Sequence, residues 1–201
     1  MTTITDFSQL DLSKRYTYAD YLTWEFDESV ELIKGWVYRM SPAPKRIHQR
    51  VSGRLFSDIE QRLRGKTCEV YHAPFDVRLT TTSLLANRRG EPEQIETVVQ
   101  PDICVICDPD KLDDRGCLGA PDWIIEILSP GTVVRDLRDK FDLYEENGVG
   151  EYWTVAPGEK AIHVFLHDGI KYQPAGTYVE PGPVPVRTIE NFSVEWRDVF
   201  D

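Results

Sequence analysis

Between Lys45 and Leu63 an apolar residue recurs at every fourth position: Ile47, Val51, Leu55, Ile59 and Leu63, with Phe56 beside them. That spacing keeps one face of a 3.6-residue helix apolar and predicts an amphipathic helix. At about 100° per residue, His48 falls inside the apolar arc rather than opposite it. Val30 to Met40 (VELIKGWVYRM) predicts a hairpin that turns at Lys34-Gly35. Tyr16 to Phe26 predicts a short helix capped by Thr17. Glu69 to Leu79 reads as a strand broken at Pro74, after the punctuation of Pro42 and Pro44.

Two segments are nearly continuously apolar, Val98 to Cys107 (VVQPDICVIC) and Trp123 to Leu128 (WIIEIL). Both read as central strands covered on both faces, with Asp102 after Pro101 at the start of one. Polar stretches surround them, Thr80 to Thr97 and Asp108 to Gly119. The first is a long loop or hairpin excursion, and that length points to motion or function. Val134 to Asn147 predicts a helix with Leu137, Phe141 and Tyr144 in one stripe and Asn147-Gly148 as its stop. Glu151 to Val155 predicts a strand, and Ala161 to Leu166 with Ile170 to Tyr172 a hairpin around His167-Asp168-Gly169. The tail from Ile189 to Phe200 closes the chain as a strand or short helix. Together the elements define a mixed α/β chain with a central sheet between helices.

One position breaks the apolar rule. Glu126 sits inside WIIEIL, and an ionised side chain is costly to bury unless it is paired or bound to a metal. Strand alternation puts Ile124, Glu126 and Leu128 on one face. The same alternation groups Asp102, Cys104 and Ile106 on the other central strand. If the strands are neighbours in compatible register, Asp102 and Glu126 meet at one edge of the core. Two adjacent carboxylates repel, and a divalent cation or a shared proton relieves that. Oxygen ligands alone suit Mg²⁺ or Mn²⁺ rather than zinc. A turn role for Asp102 and an internal ion pair between Glu126 and an arginine remain the alternatives.

The 201 residues suit a single domain, with residues 1–15 as a flexible lead-in. No apolar run approaches the about 18 residues of a membrane span, and the opening residues lack a signal-peptide core. The expectation is therefore a cytoplasmic protein. A net charge of −11 counts against a protein that holds nucleic acid by charge alone. Basic residues do gather between 45 and 66, as a phosphate-binding face or a solvated one. Cys104 and Cys107 have C-x-x-C spacing, but strand alternation separates their side chains. All four cysteines, Cys68, Cys104, Cys107 and Cys117, read as small buried apolar residues.

Pro101-Asp102 followed 24 residues later by Glu126 is similar to the PD-(D/E)xK nuclease pattern. The ordered set "QPDICVI", "PDWIIEILSPGT", "DLRDKFDLYEENGVGEYWTV" and "FSVEWRDVF" resembles the Uma-type family of restriction endonucleases, long catalogued as a domain of unknown function. The likeness runs from about Tyr16 to Phe200. It implies a restriction-endonuclease-like mixed β-sheet flanked by α-helices, here with an added N-terminal helix and hairpin. It also implies a Mg²⁺- or Mn²⁺-dependent endonuclease that hydrolyses DNA phosphodiesters as a homodimer; a nuclease-fold protein that binds nucleic acid or a partner without cutting is the alternative. Carried onto this chain, Asp102 and Glu126 match the two acids, and the Ile127 carbonyl joins them as metal ligand. The superfamily's lysine position is Leu128, and the Uma-type pattern places that lysine on the next helix, at Lys140. A surface pair between Lys140 and Asp136 is the competing reading. His48 matches a metal-orienting or proton-handling position, with a satisfied core or boundary histidine as the alternative; Asp76 matches an acid common in the pattern, as a third ligand or a plain edge-strand charge; and Glu31 could approach from the N-terminal hairpin. Trp153 and Tyr152 read as core residues.

Overall fold

The computed structural model describes residues 3–40, 44–80, 91–129 and 138–201. The predicted loop tip at 81–90, Pro42 and the start of the predicted Val134–Asn147 helix, with Asp136 and Leu137, lie outside them.

A four-residue helix, α1 (Tyr18–Tyr21), opens the fold behind a capping box of Thr17 and Asp20. The predicted hairpin follows as β1 (Val30–Ile33) and β2 (Trp36–Arg39). Its turn needs two residues at positive φ, and Lys34 (51°) with Gly35 (83°) supplies them. The four-spaced pattern forms α2 (Arg46–Leu63), which buries Val51, Leu55, Ile59 and Leu63 while Ile47 stays exposed. Next come β3 (Glu69–His72), β4 (Val77–Leu79), β5 (Thr97–Val99) and β6 (Ile103–Ile106). The short β7 (Leu112–Asp113) and β8 (Gly116–Leu118) precede β9 (Trp123–Ile127), α3 (Lys140–Glu146) and β10 (Glu151–Ala156). The chain ends with β11 (Ala161–His167), β12 (Tyr172–Tyr178), β13 (Pro183–Val186), β14 (Phe192–Glu195) and α4 (Trp196–Phe200).

Among the described residues there are two six-stranded sheets, ordered β2-β1-β5-β4-β8-β7 and β12-β11-β10-β9-β6-β3. The expectation of one central sheet is therefore corrected. The cause is visible at Gln100-Pro101-Asp102, where VVQPDICVIC divides into β5 in the first sheet and β6 in the second. Pro101 has no N–H for a ladder, so the chain leaves one sheet there and enters the other. The segment 69–79 makes the reverse passage, with β3 in the second sheet and β4 in the first.

The layers follow from which side chains each face buries. Trp123, Ile125 and Ile127 of β9 pack with α2, β14 and α4 on the outer side of the second sheet. Ile124 of β9 and Cys104 of β6 face the other way, against Val77, Val99 and Ile33 of the first sheet and Tyr144 of α3. On the first sheet's far side, Leu32 and Val98 pack under Tyr18. Helix α3 thus borders the space between the two sheets, and so do the residues on the Glu126 face of β9.

The cysteines differ from expectation in one respect. Cys104 and Cys117 are free and buried, as small apolar residues, whereas Cys68 and Cys107 form a disulfide across 39 residues. The β3–β6 pairing, with Glu69 opposite Ile106, brings their flanking positions together. Nothing in the linear spacing of the two cysteines signals that pairing.

Candidate active site

The antiparallel pairing of β6 with β9 sets Ile103 opposite Ile125 and Cys104 opposite Ile124. Carried one residue further, the register brings Asp102 opposite Glu126. Asp102 lies just past the end of the ladder and continues it with its side chain: Ile127 N donates to Asp102 Oδ2 at 2.7 Å. On the other side of β9, Leu128 N donates to Val155 O at 2.7 Å. Successive residues of a strand direct their backbone groups to alternate sides. The N–H and C=O of Ile127 therefore face the Asp102 side.

His48 reaches the same carboxylate from the first turn of α2. Its Nε2 lies 3.2 Å from Asp102 Oδ2, with the imidazole mostly covered. The helical arc that placed His48 inward is what delivers it here.

Glu126 is 3% exposed and its Oε1 accepts two hydrogen bonds, from Lys140 Nζ at 2.9 Å and from Tyr144 Oη at 2.7 Å. Lys140 and Tyr144 are four apart on α3 and so share one helical face. Lys140 is 4% exposed, more deeply set than a residue merely bordering a packed face. Its ammonium also lies 2.9 Å from Glu31 Oε1 of β1, which in turn accepts from Gln100 N at 3.1 Å. One cation thus joins a carboxylate from each sheet. Pairing of this kind is what makes buried charge tolerable. Burial, followed by the charges of Glu126 and Glu31, pushes the Tyr144 phenol well above its ordinary pKa, so it remains a proton donor.

Asp76 is placed differently. Its Oδ1 accepts from Gln100 Nε2 at 2.9 Å and from Tyr21 Oη at 3.4 Å. Gln100 links it to the Glu31–Lys140–Glu126 cluster, its backbone N–H on Glu31 and its side chain on Asp76. Burial raises the Asp76 pKa against the lowering effect of those two bonds. Leu128 is half-buried and supplies no charge, while Tyr152 and Trp153 are fully buried core residues.

The residue pattern did not single out Tyr144 or Gln100 as site members. Tyr144 sat in the apolar stripe and read as packing, although its four-residue spacing from Lys140 was a usable signal. Gln100 had no signal, because its importance comes from the break between two sheets. Glu151 was a further omission: it is fully buried, and both its oxygens are engaged. Among the described residues, no three His, Cys, Asp or Glu side chains converge as a ready-made metal cage. The available donors, two carboxylates and a backbone carbonyl, nonetheless fit Mg²⁺, which is commonly held by one or two carboxylates with water and phosphate completing its shell.

The Uma2 family model, described as "Putative restriction endonuclease", matches residues 18–197, and the chain belongs to that family. A crystal structure described as "a putative nuclease belonging to DUF820", from Anabaena variabilis, superposes with a TM-score of 0.68. That alignment covers 92% of this chain and 97% of the other at 19% identity, so the fold is shared. The uncharacterized protein slr1290 of Synechocystis is 28% identical over 130 residues, 64% of this chain. The match spans 61% of that relative's length. Among the described residues no helix is long and apolar enough to cross a membrane.

Proposed function

We propose that this chain is a divalent-metal-dependent DNA endonuclease, acting as a single domain in the cytoplasm and as a homodimer that cuts both strands. What supports the reading is that Asp102 takes the Ile127 N–H next to Glu126 while Lys140 bonds Glu126, on a chain whose family is described as restriction endonucleases.

Asp102, Glu126 and the Ile127 carbonyl would hold Mg²⁺ or Mn²⁺. When bound, such a cation polarises a phosphoryl oxygen and lowers the pKa of a coordinated water. The chain's own groups do the rest. Ile127 N–H and His48 Nε2 both engage Asp102 Oδ2, which fixes the carboxylate and leaves Oδ1 without a partner among the described residues. Lys140 and Tyr144 share Glu126 Oε1 and so set the orientation of that carboxylate. The Lys140 ammonium is also the positive group available to stabilise negative charge developing on the phosphate. His48 is positioned to take or return a proton at Nε2.

Purified protein is expected to cleave DNA in Mg²⁺ or Mn²⁺ and to lose cleavage with chelator. Asp102→Ala and Lys140→Ala should each abolish it. Cleavage that survives the combined Asp102→Ala and Glu126→Ala change would come from a contaminant and sink the reading. One observation favours a non-cutting protein that binds nucleic acid or a partner: Glu126 Oε1 is already engaged by Lys140 and Tyr144. That reading predicts no Mg²⁺ heat signal dependent on Asp102 in calorimetry.

A further inference from the structure

Beside the acid cluster, and separate from it, lies a cleft of about 430 Å³ lined by Tyr71, Phe75, Asp76, Gln100, Arg115 and Gly116, among others. Tyr71 and Phe75 are stacked, with centroids 4.2 Å apart and planes within 10°. Stacked face to face, the pair offers the cleft its ring edges and at most one outer ring face. Gly116 also lines the cleft: a Cβ there would meet the Asp76 carbonyl oxygen at 2.2 Å, so only glycine lets β8 come this close.

The polar groups of the cleft have a definite pattern. Asp76 uses Oδ1 for Gln100 Nε2 and Tyr21 Oη, and Gln100 spends its amide NH₂ on Asp76. Among the described residues, Asp76 Oδ2 and Gln100 Oε1 take no hydrogen bond. These are two neighbouring acceptors, and the Tyr21 and Gln100 donors fix the carboxylate's orientation. Arg115, exposed at the rim, adds N–H donors. The neighbouring Asp113 is partly neutralised by Arg78 at 2.7 Å.

A flat ligand with two adjacent N–H donors and a nearby acceptor matches this pattern. Guanine has both on one edge: N1–H beside N2–H₂, with O6 next to them. Adenine and cytosine offer one amino group each on that edge and thymine one N–H. We propose that the cleft is a base-recognition subsite that takes an unstacked guanine of a DNA strand. The base would stack on the one outer ring face that the Tyr71–Phe75 pair leaves open, its N–H groups on Asp76 and Gln100 and its O6 toward Arg115. The proposal rests on the nuclease reading for its meaning, since Gln100 also holds Glu31 through its backbone N–H and so ties base recognition to the acid cluster. It also supplies what a chain of net charge −11 needs, a way to hold nucleic acid that does not depend on many phosphate contacts.

The test is fluorescence anisotropy in chelator, where no cleavage intervenes. The probes are labelled single-stranded oligothymidines carrying one central guanine, adenine or cytosine, with plain oligothymidine as reference. A well-formed base contact is worth about 1–3 kcal/mol, so the guanine probe should bind at least about fivefold tighter than the others. Asp76→Asn should remove that preference, and Arg115→Ala, at an exposed site that folding does not need, should reduce it. Equal affinity for all probes, or a guanine preference that persists in both variants, overturns the proposal. Binding is read without turnover. A protein that prefers guanine but never cuts would therefore refute the nuclease reading and leave the subsite standing, and the converse holds equally.

Discussion

Two glutamates, Glu126 and Glu151, are buried on the same pair of parallel strands, 3% and 0% exposed, and they are buried in opposite ways. Glu151 is surrounded by neutral donors. Its Oε1 accepts from Trp153 Nε1, and its Oε2 accepts from Arg187 N, Thr188 N and Thr188 Oγ1, at 2.7 to 3.1 Å. Such a carboxylate is saturated on both oxygens and serves as a peg for the segment that follows β13. Glu126 instead meets an ammonium and a phenol at Oε1, with a second carboxylate, Glu31, on the same ammonium and a third, Asp102, opposite it in the register. Depth of burial does not separate a structural acid from a chemical one. The donors do: neutral donors on both oxygens leave a carboxylate nothing further to do, whereas a charged donor shared with another acid leaves a charge pattern that a cation can complete.

The strongest way to break this contrast is Glu126→Gln. It keeps the size and one acceptor, so thermal unfolding should move little while cleavage falls on the order of 10²–10³-fold. Unfolding of the variant with unchanged specific cleavage would make Glu126 a second peg. Glu151→Ala is the mirror experiment. It orphans four donors in a dry site and should cost about 3 kcal/mol in a denaturant melt. The molecules that remain folded should cut normally, and an activity loss beyond the folded fraction would refute its assignment. Tyr144→Phe sharpens the contrast within the site. Losing one donor to a charged oxygen should lower stability by about 1.5 kcal/mol and cleavage by roughly tenfold.

The smallest effect is expected at Asp76, and it depends on pH. Its pKa is raised by burial, so ionisation opposes folding above that raised value, and the opposition disappears as pH falls toward the unfolded value of about 3.8. Asp76→Asn should therefore raise the melting temperature slightly at neutral pH and lose the advantage in acid. A variant less stable at neutral pH and unchanged in acid would give Asp76 the character of Glu151.

Much of the site was legible before any coordinates. The four-spaced arc of α2 turned His48 inward, and Asp102 lies against it. Alternation put Glu126 with Ile124 and away from Trp123 and Ile125, as the two cores confirm. Three features were hidden, each for a stated cause. The division of VVQPDICVIC between two sheets was masked because apolar residues continue on both sides of Pro101, though the proline itself was the cue. Glu151 stood at a strand end, where an acid raises no question until the 186–188 segment is seen to close over it. The Cys68–Cys107 bond joins positions that only the β3–β6 pairing makes neighbours.

What the sequence determined by itself is local and periodic: the faces of α2 and β9, the Lys34-Gly35 turn, and the need of Glu126 for a partner. Those follow from residue spacing and from the cost of burying charge, both properties of a short stretch of chain. Tertiary structure alone decided which partners arrived. Lys140 bonds Glu31 and Glu126 together only because α3 borders the space between two sheets. Gln100 can hold Glu31 with its backbone and Asp76 with its side chain only where the chain crosses from one sheet to the other. Contacts between distant segments depend on the packing of whole layers, and no local pattern records that packing.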